Sequence, residues 1–267
     1  MNKSIEDTTL VFIGAGNLAT NLAKAFYEKG FRIAQVYSRT LESAKALAEA
    51  VEADYTNELS ALSTQAQLYI VALKDAVMRD LLPQMVKGRE QGMWVHTAGS
   101  MPMDVWEGLT PRYGVFYPMQ TFSKTRLVAF DEIPIFIESN QQADAQFLTA
   151  VAARLSHRVY EATSNQRKSL HLAAVFTCNF TNHLYALSAQ LLQKYQLPFD
   201  AMLPLIDETA RKVHTMSPLD AQTGPAIRYD LNVIHAHLAM LSDEPQMQAL
   251  YQQLTDSIHR LATEGKH

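Results

Sequence analysis

Short apolar runs alternate with amphipathic segments along the first part of the chain. Runs rich in branched and aromatic residues are typical of strands buried on both faces, and the intervening segments carry apolar residues at helical spacing. The alternation predicts the α/β class, with a doubly wound, mostly parallel sheet. The predicted strands are Leu10–Ile13, Phe31–Tyr37, Gln67–Leu73, Trp94–Thr97, Gly114–Phe122, Ile133–Glu138 and Arg158–Tyr160. The helices predicted between them include Leu41–Val51, Asp75–Val86 and one capped by Asn140 that runs to Leu155.

The pattern changes after residue 161. The polar stretch 162–168 precedes a region with almost no strand signal, and four long helices are predicted there: Leu170–Tyr195, Phe199–His214, Pro225–Leu241 and Pro245–Thr263. We therefore expect a sheet domain over residues 1–161 and an all-helical second domain over residues 162–267.

The first strand runs directly into a glycine turn. Gly14-Ala-Gly16-Asn-Leu-Ala19 has the form G-x-G-x-x-A, and helical spacing begins at Leu18. Strand, glycine turn and helix form the context of a Rossmann dinucleotide fingerprint. Gly14 would allow the tight turn, Gly16 would let the backbone approach a pyrophosphate, and Ala19 would let the helix lie close to the strand. The helix N-terminus would attract the phosphates.

The end of the second strand predicts the choice of nicotinamide cofactor. NAD-preferring sites place an acidic residue there, whereas this chain has Ser38-Arg39-Thr40. A guanidinium and two hydroxyls can bind a 2′-phosphate, which a carboxylate would repel. The sequence therefore favours NADP(H). The alternative is that Arg39 is a solvated residue at a helix start, with Ser38 or Thr40 as the helix cap.

The helix predicted over Leu170–Tyr195 is apolar almost all round, which is typical of a helix buried on several sides. At about 100° per residue, one arc of about 80° holds Lys168, His171, Val175, Asn179 and Asn182. Buried imidazole and amide groups need partners, and a cleft that holds cofactor and substrate would supply them. The alternative is that these side chains bond internally.

Composition and charge restrict which partners, which cellular compartment and which metal sites we expect. The 267 residues carry a net charge of −4, which gives no electrostatic basis for binding nucleic acid or an anionic membrane. The single cysteine, Cys178, excludes an internal disulfide and suits a reducing compartment; it is expected in the core. The first nine residues lack an apolar stretch, and no 18-residue apolar window occurs, so we expect a cytoplasmic protein. His235 and His237 fall on different helix faces, and no metal site is predicted.

Several segments, taken in order, carry a family resemblance. They are Gly14–Ala19, Ser38–Thr40, Val71–Asp75, His96–Ser100, Tyr117–Phe122, His171–Asn179 and Gly224–Asp230. On these segments the chain resembles the Rossmann-like proteins with a helical C-terminal domain of unknown function, a family of candidate NADP oxidoreductases. These proteins are similar to pyrroline-5-carboxylate reductase, the deazaflavin-dependent NADP oxidoreductases and the β-hydroxyacid dehydrogenases.

The resemblance implies positions for the site residues. Asn17 and Leu18 would contact the pyrophosphate through their backbone, and Ala72, Leu73 and Lys74 would pass the cofactor ribose. Ser100 would lie near the nicotinamide. The resemblance also implies a homodimer formed through the helical domain.

The chain departs from the β-hydroxyacid dehydrogenases in the residues that would contact the reacting oxygen of the substrate. β-Hydroxyacid dehydrogenases use a Lys and an Asn one turn apart on the corresponding helix, whereas here Lys168 and His171 precede Asn179 by more than one turn. His171 is then the candidate proton donor, with Asn179 and Ser100 orienting the substrate or nicotinamide.

Two functions of different class are consistent with these residues. The first is an NADP(H)-dependent oxidoreductase that transfers hydride to or from a small C=O or C=N substrate in an interdomain cleft. The alternative is a non-catalytic NADP(H)-binding regulatory or assembly protein, because the cofactor motifs are stronger than the motifs for chemistry. The substrate, the direction of transfer and the participation of a deazaflavin stay open.

Overall fold

The computed structural model describes residues 5–264. The chain divides into two compact units, one ending at Cys178 and the other starting at Asn179. The first unit therefore includes the first nine residues, 170–178, of the predicted 170–195 helix. The predicted boundary after residue 161 stays a prediction. Part of the segment 1–9, whose lack of an apolar stretch supports the expectation of a cytoplasmic protein, lies outside the described residues.

An eight-stranded sheet organises the first unit. Its strand order is β3-β2-β1-β4-β5-β6-β7-β8, and all neighbours are parallel except the antiparallel pair β6–β7. The strands are β1 (Thr9–Ile13), β2 (Arg32–Tyr37), β3 (Asp54–Thr56), β4 (Leu68–Val71), β5 (Met93–His96), β6 (Tyr113–Pro118), β7 (Ile135–Ser139) and β8 (Val159–Glu161). The predicted fold class, a mostly parallel Rossmann sheet followed by a helical region, is confirmed. Strand β3 was not predicted, because this short edge strand has no apolar run.

Up to β8 the helices alternate with the strands, and from β8 to residue 264 the chain contains only helices and turns. They are α1 (Asn17–Glu28), α2 (Leu41–Glu49), α3 (Asp75–Val86), α4 (Gln142–Ala153), α5 (Ser164–Ala174), α6 (Thr181–Lys194), α7 (Leu203–Lys212), α8 (Pro218–Ala221), α9 (Pro225–Arg228), α10 (Leu231–Met240) and α11 (Pro245–Glu264). Short 3₁₀ turns lie at Ile5–Asp7, Leu59–Ala61, Met103–Trp106 and Phe199–Met202.

Apolar side chains cover both faces of the sheet. On one face Phe26 of α1 lies among other aromatic rings, with its ring 5.0 Å from that of Phe31. On the other face Tyr69 stacks on Trp94 with ring centres 4.2 Å apart. All four residues of β4 and of β5 are buried. This two-sided burial explains why both strands read as continuous apolar runs in the sequence.

Several predicted helix boundaries are wrong. The helix expected from Leu170 begins at Ser164 and contains a π-helical segment, Val175–Phe180. The helix expected over Pro225–Leu241 is two helices, because Tyr229 adopts a left-handed conformation (φ 53°) and Asp230 caps α10 by accepting from Val233 N.

The cap of α4 also differs from the prediction. Gln141 occupies the N-cap position, whereas Asn140 accepts a hydrogen bond from Tyr113 N at 3.1 Å and so joins the chain to β6. Over residues 5–264 no helix is both long and apolar enough to cross a membrane.

The second unit buries few of its large apolar side chains. Ile234 and Leu241 are buried, whereas Leu205 and Leu219 are 62% and 58% exposed. The larger part of the predicted long helix is not in a core either: no residue of the π segment or of α6 is buried. The expectation that this helix is buried on several sides is therefore wrong for a single chain.

Candidate functional site

The carboxyl edge of the sheet brings the predicted site segments together. β1 lies between β2 and β4, with Ile13 opposite both Tyr37 and Val71. β5 and β6 follow in the sheet, with His96 opposite Val71 and Val115. The segments that leave this edge are therefore, in spatial order, Ser38–Thr40, Gly14–Gly16, Ala72–Lys74 and Thr97–Ser100, with Tyr117 near the end of β6. Ligands of doubly wound sheets bind at this edge, where the strand order reverses.

Gly14 makes the turn after β1 possible. Its φ of +121° is in the region that favours glycine, and its N–H donates to Tyr37 O at 2.8 Å. A Cβ at this position would lie 2.4 Å from Ala72 O. The role predicted for Gly14, a tight turn, fits this geometry, with close approach to the neighbouring segment as a second reason.

At Gly16, unlike Gly14, the protein itself leaves room for a side chain. It is the N-cap residue of α1 with φ −80°, and a Cβ there would meet nothing within 4 Å. No side chain caps this helix end, and its first turn carries no acidic residue. Gly16 and Asn17 are exposed, so the first N–H groups of α1 can bind an anionic group, and the cradle fits a pyrophosphate.

The segment after β2 presents cationic and hydroxyl groups at the same edge. Arg39 and Thr40 are exposed, and Ser38 is half-buried. Thr40 is at the N-cap position of α2, but its hydroxyl donates to Ser43 Oγ at 2.8 Å and makes no capping bond to the helix backbone. The alternative in which Thr40 caps the helix through its side chain is therefore not what the structure shows.

A cavity of about 340 Å³ borders the glycine turn between α1 and α2. Ala15 lines it from the turn and Ser43 from α2. Lys24 and Lys124 contribute two positive charges, against one negative charge from Glu42. The surroundings of the glycine turn thus favour an anionic ligand.

The segment after β4 lies against the glycine turn. Ala72 N donates to Ile13 O at 2.8 Å, which aligns the ends of the two strands. Ala72 and Leu73 are half-buried, and the exposed Lys74 is the N-cap residue of α3. These three residues can therefore border a ligand that lies on the glycine turn.

Ser100 is exposed in the loop after β5 and donates a hydrogen bond to Asp75 Oδ2 at the start of α3. Because the hydroxyl proton is engaged, the oxygen of Ser100 can accept a hydrogen bond from a ligand. Asp75 was not singled out as a site residue from the sequence. The acidic residue after Lys74 could have suggested it.

His171 of α5 packs against the same loop. Its Nδ1 lies 3.3 Å from the hydroxyl of Tyr117, and the two rings meet edge to face. A Cβ on Gly99 would lie 2.7 Å from His171 Nδ1 and 2.9 Å from Tyr117 Cζ. The structure therefore brings the predicted proton donor to the backbone next to Ser100. Burial raises the pKa of Tyr117, so the residue is a neutral phenol at neutral pH.

A buried ion pair holds this arrangement in place. The side chain of Arg167 is 1% exposed and pairs with Glu138 of β7. Its guanidinium also donates to Ala98 O, at 3.2 Å, and to Met101 O. Glu138 accepts from Ser164 N at 2.8 Å at the start of α5. Arg167 thus fixes the loop that carries Ser100 to the helix that carries His171; in the sequence it is only one residue of a polar stretch.

His96 braces the same loop as a neutral imidazole. Ala98 N donates to His96 Nδ1 at 3.2 Å, so Nε2 carries the proton and donates to Pro102 O at 3.3 Å. Burial lowers the pKa of His96 to about 3, and the positive charge of Arg167 adds to this effect. His96 therefore stabilises the loop without exchanging protons near neutral pH.

The π segment changes the predicted polar stripe. Asn179 is in this segment and Asn182 follows it, and both are exposed. A π-helix has more residues per turn than the α-helix assumed in the 80° arc, so that arc does not describe these two residues. The predicted roles of Asn179 and His171 stay predictions. Cys178 is half-buried, outside the core where we expected it.

One of the two histidines of α10, His237, has a local partner. His237 Nδ1 lies 2.9 Å from the hydroxyl of Tyr251 on α11. Within residues 5–264 no three His, Cys, Asp or Glu side chains are grouped closely enough to hold a metal ion.

Two family models match the chain. Residues 9–95 match the coenzyme F420-dependent NADP oxidoreductases, and residues 133–258 match a domain of unknown function. No curated protein has a matching sequence.

Solved structures extend the likeness over both units. A candidate NADP oxidoreductase from Bacteroides fragilis is 67% identical, with a TM-score of 0.93, over 96% of this chain and all of the other. An imine reductase from Myxococcus stipitatus, bound to NADP⁺, is 17% identical with a TM-score of 0.67 over 96% of this chain and 93% of that one. The pyrroline carboxylate reductase of Plasmodium falciparum, with NADP bound, is 11% identical with a TM-score of 0.63. The match covers 96% of this chain and 100% of that one. At these two lower identities the likeness concerns the fold.

Proposed function

This chain belongs to the family of the Bacteroides fragilis NADP oxidoreductase candidate, in which a Rossmann domain precedes a helical domain of unknown function, and we propose that it is an NADP(H)-dependent oxidoreductase. The reaction would transfer hydride to or from a small C=O or C=N substrate. The observation that carries the proposal is the meeting of the glycine turn, the Ser38–Thr40 segment and the loop of Ser100 and His171 at one edge of the sheet. That the substrate lies in an interdomain cleft stays a prediction.

The chain's own residues fit NADP(H). The uncapped N-terminus of α1 would bind the pyrophosphate through the backbone of Asn17 and Leu18. Arg39, with Ser38 and Thr40, would bind the 2′-phosphate, and Ala72–Lys74 would border the ribose. The bound cofactor would supply or accept the hydride.

His171 is the proposed proton donor to the reacting oxygen or nitrogen. It is half-buried, and its ring packs on Gly99, one residue from Ser100. Ser100, held by Asp75, would orient the substrate or the nicotinamide through its hydroxyl oxygen. Asn179 is proposed to hydrogen-bond the substrate.

A turnover screen tests this proposal. NADPH oxidation would be followed by absorbance with a panel of small aldehydes, ketones and cyclic imines. His171→Ala is expected to reduce turnover of any substrate found by about 10²-fold or more, because general acid catalysis supplies that much. His157→Ala, which alters an exposed histidine of the same unit, is the matched control and should not change it.

Equal turnover by the parent and His171→Ala would contradict the assigned role. Tight NADPH binding without turnover across the whole panel would favour the non-catalytic alternative.

We also infer a homodimer formed through the helical region. The apolar residues Leu172, Leu205 and Leu219 are all more than half exposed, and burying such side chains against a second copy of the chain would be favourable. A location in the cytoplasm stays a prediction.

A further inference from the structure

Tyr117 is a buried phenol close to the candidate proton donor. It is the penultimate residue of β6 and only 7% exposed. Its ring lies beside that of Phe136, with centroids 6.4 Å apart, and its hydroxyl points to His171 Nδ1 at 3.3 Å. The strand therefore fixes the phenol with respect to the sheet, and the hydrogen bond connects it to α5.

Gly99 provides the space in which the two rings meet. Its backbone φ is not in the region that favours glycine, so the turn itself does not require this residue type. A Cβ would instead lie within 3.0 Å of both His171 and Tyr117. The absence of a side chain at position 99 thus has one visible consequence, which is that the Tyr117–His171 pair can form next to Ser100.

The protonation of the pair follows from its surroundings. Burial raises the pKa of Tyr117, Arg167 opposes this effect through its positive charge, and Cys178 adds to it. Tyr117 is consequently a phenol at neutral pH, and a phenol is a stronger donor than a neutral imidazole N–H. Tyr117 therefore donates to Nδ1 of His171, and the imidazole proton remains on Nε2.

We propose that Tyr117 is a positioning residue that holds His171 in its Nε2–H form and replaces the proton that His171 delivers to the substrate. This inference rests on the proposed function. When the substrate O–H or N–H bond forms, the Nε2–H bond of His171 breaks. The Tyr117 O–H bond breaks as an Nδ1–H bond forms. When the product leaves, Nε2 takes a proton from water and Nδ1 returns its proton to the tyrosinate, so that the Nε2–H form is restored and hydroxide is released to the solvent. The charge of Arg167 stabilises the tyrosinate.

The tautomer of His171 can be measured without a substrate. Nitrogen-15 chemical shifts of the imidazole rings would be recorded above neutral pH on histidine-labelled full-length protein, with the His171 signals identified by their loss in His171→Gln. We expect the Nε2–H form in the parent. Tyr117→Phe, which removes only the hydroxyl, should raise the Nδ1–H population. Gly99→Ala is a second variant that should separate the pair and act in the same direction.

Tyr160→Phe is the matched control. Its ring stacks on the same Phe136, at 5.5 Å, but belongs to a residue that is 49% exposed. It should leave the His171 tautomer unchanged. An Nδ1–H form in the parent, or equal tautomer populations in the parent and Tyr117→Phe, would overturn the proposal; the parent measurement decides even if a variant does not fold.

Cofactor binding separates this inference from the proposed function. NADPH should bind Tyr117→Phe as tightly as the parent, while kcat for any substrate found falls by at least tenfold. If NADPH does not bind the parent, the proposed function fails whatever the tautomer is. If NADPH binds but the tautomer is unaffected by Tyr117→Phe, the inference about Tyr117 fails alone.

Discussion

Gly14 and Gly16 belong to one motif but are glycines for different reasons. Gly14 is required by the protein itself, since its φ is +121° and Ala72 O occupies the space of a Cβ. Gly16 has open space around its missing Cβ, so the fold does not exclude a side chain there, and we propose that a ligand approaching the backbone is the reason for this glycine.

Substitution by alanine should separate the two reasons. Gly14→Ala should reduce the free energy of unfolding by about 2 kcal/mol or more, because both strain and a backbone clash are introduced. Gly16→Ala should change it by less than about 1 kcal/mol but weaken NADPH binding by about tenfold or more. Urea unfolding and calorimetric titration of both variants provide the measurements. A stable Gly14→Ala, or a Gly16→Ala that binds NADPH normally, would contradict this explanation.

His96 makes stability dependent on pH. In the folded protein its pKa is lowered to about 3, whereas an unfolded histidine takes up a proton below about pH 6.5. The unfolded chain therefore binds more protons between these values, and the stability contributed by neutral His96 is lost as the pH falls through this window. The loss should be about 1.4 kcal/mol per pH unit below about pH 6.

His96→Asn tests this linkage, because the amide oxygen can still accept from Ala98 N. Its free energy of unfolding should be lower than that of the parent at pH 7 but should fall less steeply on acidification. Urea unfolding at pH 7, 6 and 5 gives the comparison. Parallel pH dependences of the two proteins would show that His96 titrates normally.

At the scale of elements, Arg167 joins α5, β7 and the loop after β5. Arg167→Met leaves Glu138 and two backbone carbonyls without that partner, and we expect a loss of about 3–5 kcal/mol in the free energy of unfolding. Arg158→Met is the control, because the Arg158–Glu132 pair is exposed and worth less than about 1 kcal/mol.

Urea unfolding followed by tryptophan fluorescence measures these losses, because both tryptophans, Trp94 and Trp106, lie in the first unit. Equal losses in Arg167→Met and Arg158→Met would show that the buried pair does not hold these elements together.

Patterns of neighbouring residues in the sequence predicted the elements that such patterns alone determine. Strands buried on both faces are visible as apolar runs, and the glycine turn has a fixed spacing, so the sheet and the cofactor edge could be predicted. The sequence also suggested that β6 continues to Phe122. The strand ends at Pro118, and the chain beyond it contacts a distant element instead: the Asn21 side chain donates to Ser123 O at 2.9 Å.

The second half of the candidate site depended on contacts between distant residues. Tyr117 is 54 residues from His171 in the chain, and Arg167 is 69 residues from Ala98. No local pattern reports such pairings. The π segment likewise could not be read from a periodicity of 3.6, and it invalidates the arc calculated for Asn179 and Asn182.

At the scale of the whole molecule, the exposed leucines of the helical region predict association. Light scattering should give twice the 29.9 kDa mass of one chain. Leu205→Glu should reduce the mass toward one chain by placing a charge in an apolar interface. Leu127→Glu, at a leucine of the first unit that is 50% exposed, should leave the mass unchanged. A parent with the mass of one chain would contradict the dimer.

We expect this molecule to bind NADP(H) through the edge of its sheet. Calorimetry with NADPH, NADP⁺, NADH and NAD⁺ in parallel, on the parent and on Arg39→Ala, tests this expectation most directly. We predict tight NADPH binding that weakens by about tenfold or more in Arg39→Ala, because a charge-assisted contact to the 2′-phosphate is lost. NADH should bind weakly to both proteins. Absence of binding by all four nucleotides, or equal affinities for NADPH and NADH that Arg39→Ala does not change, would contradict the claim.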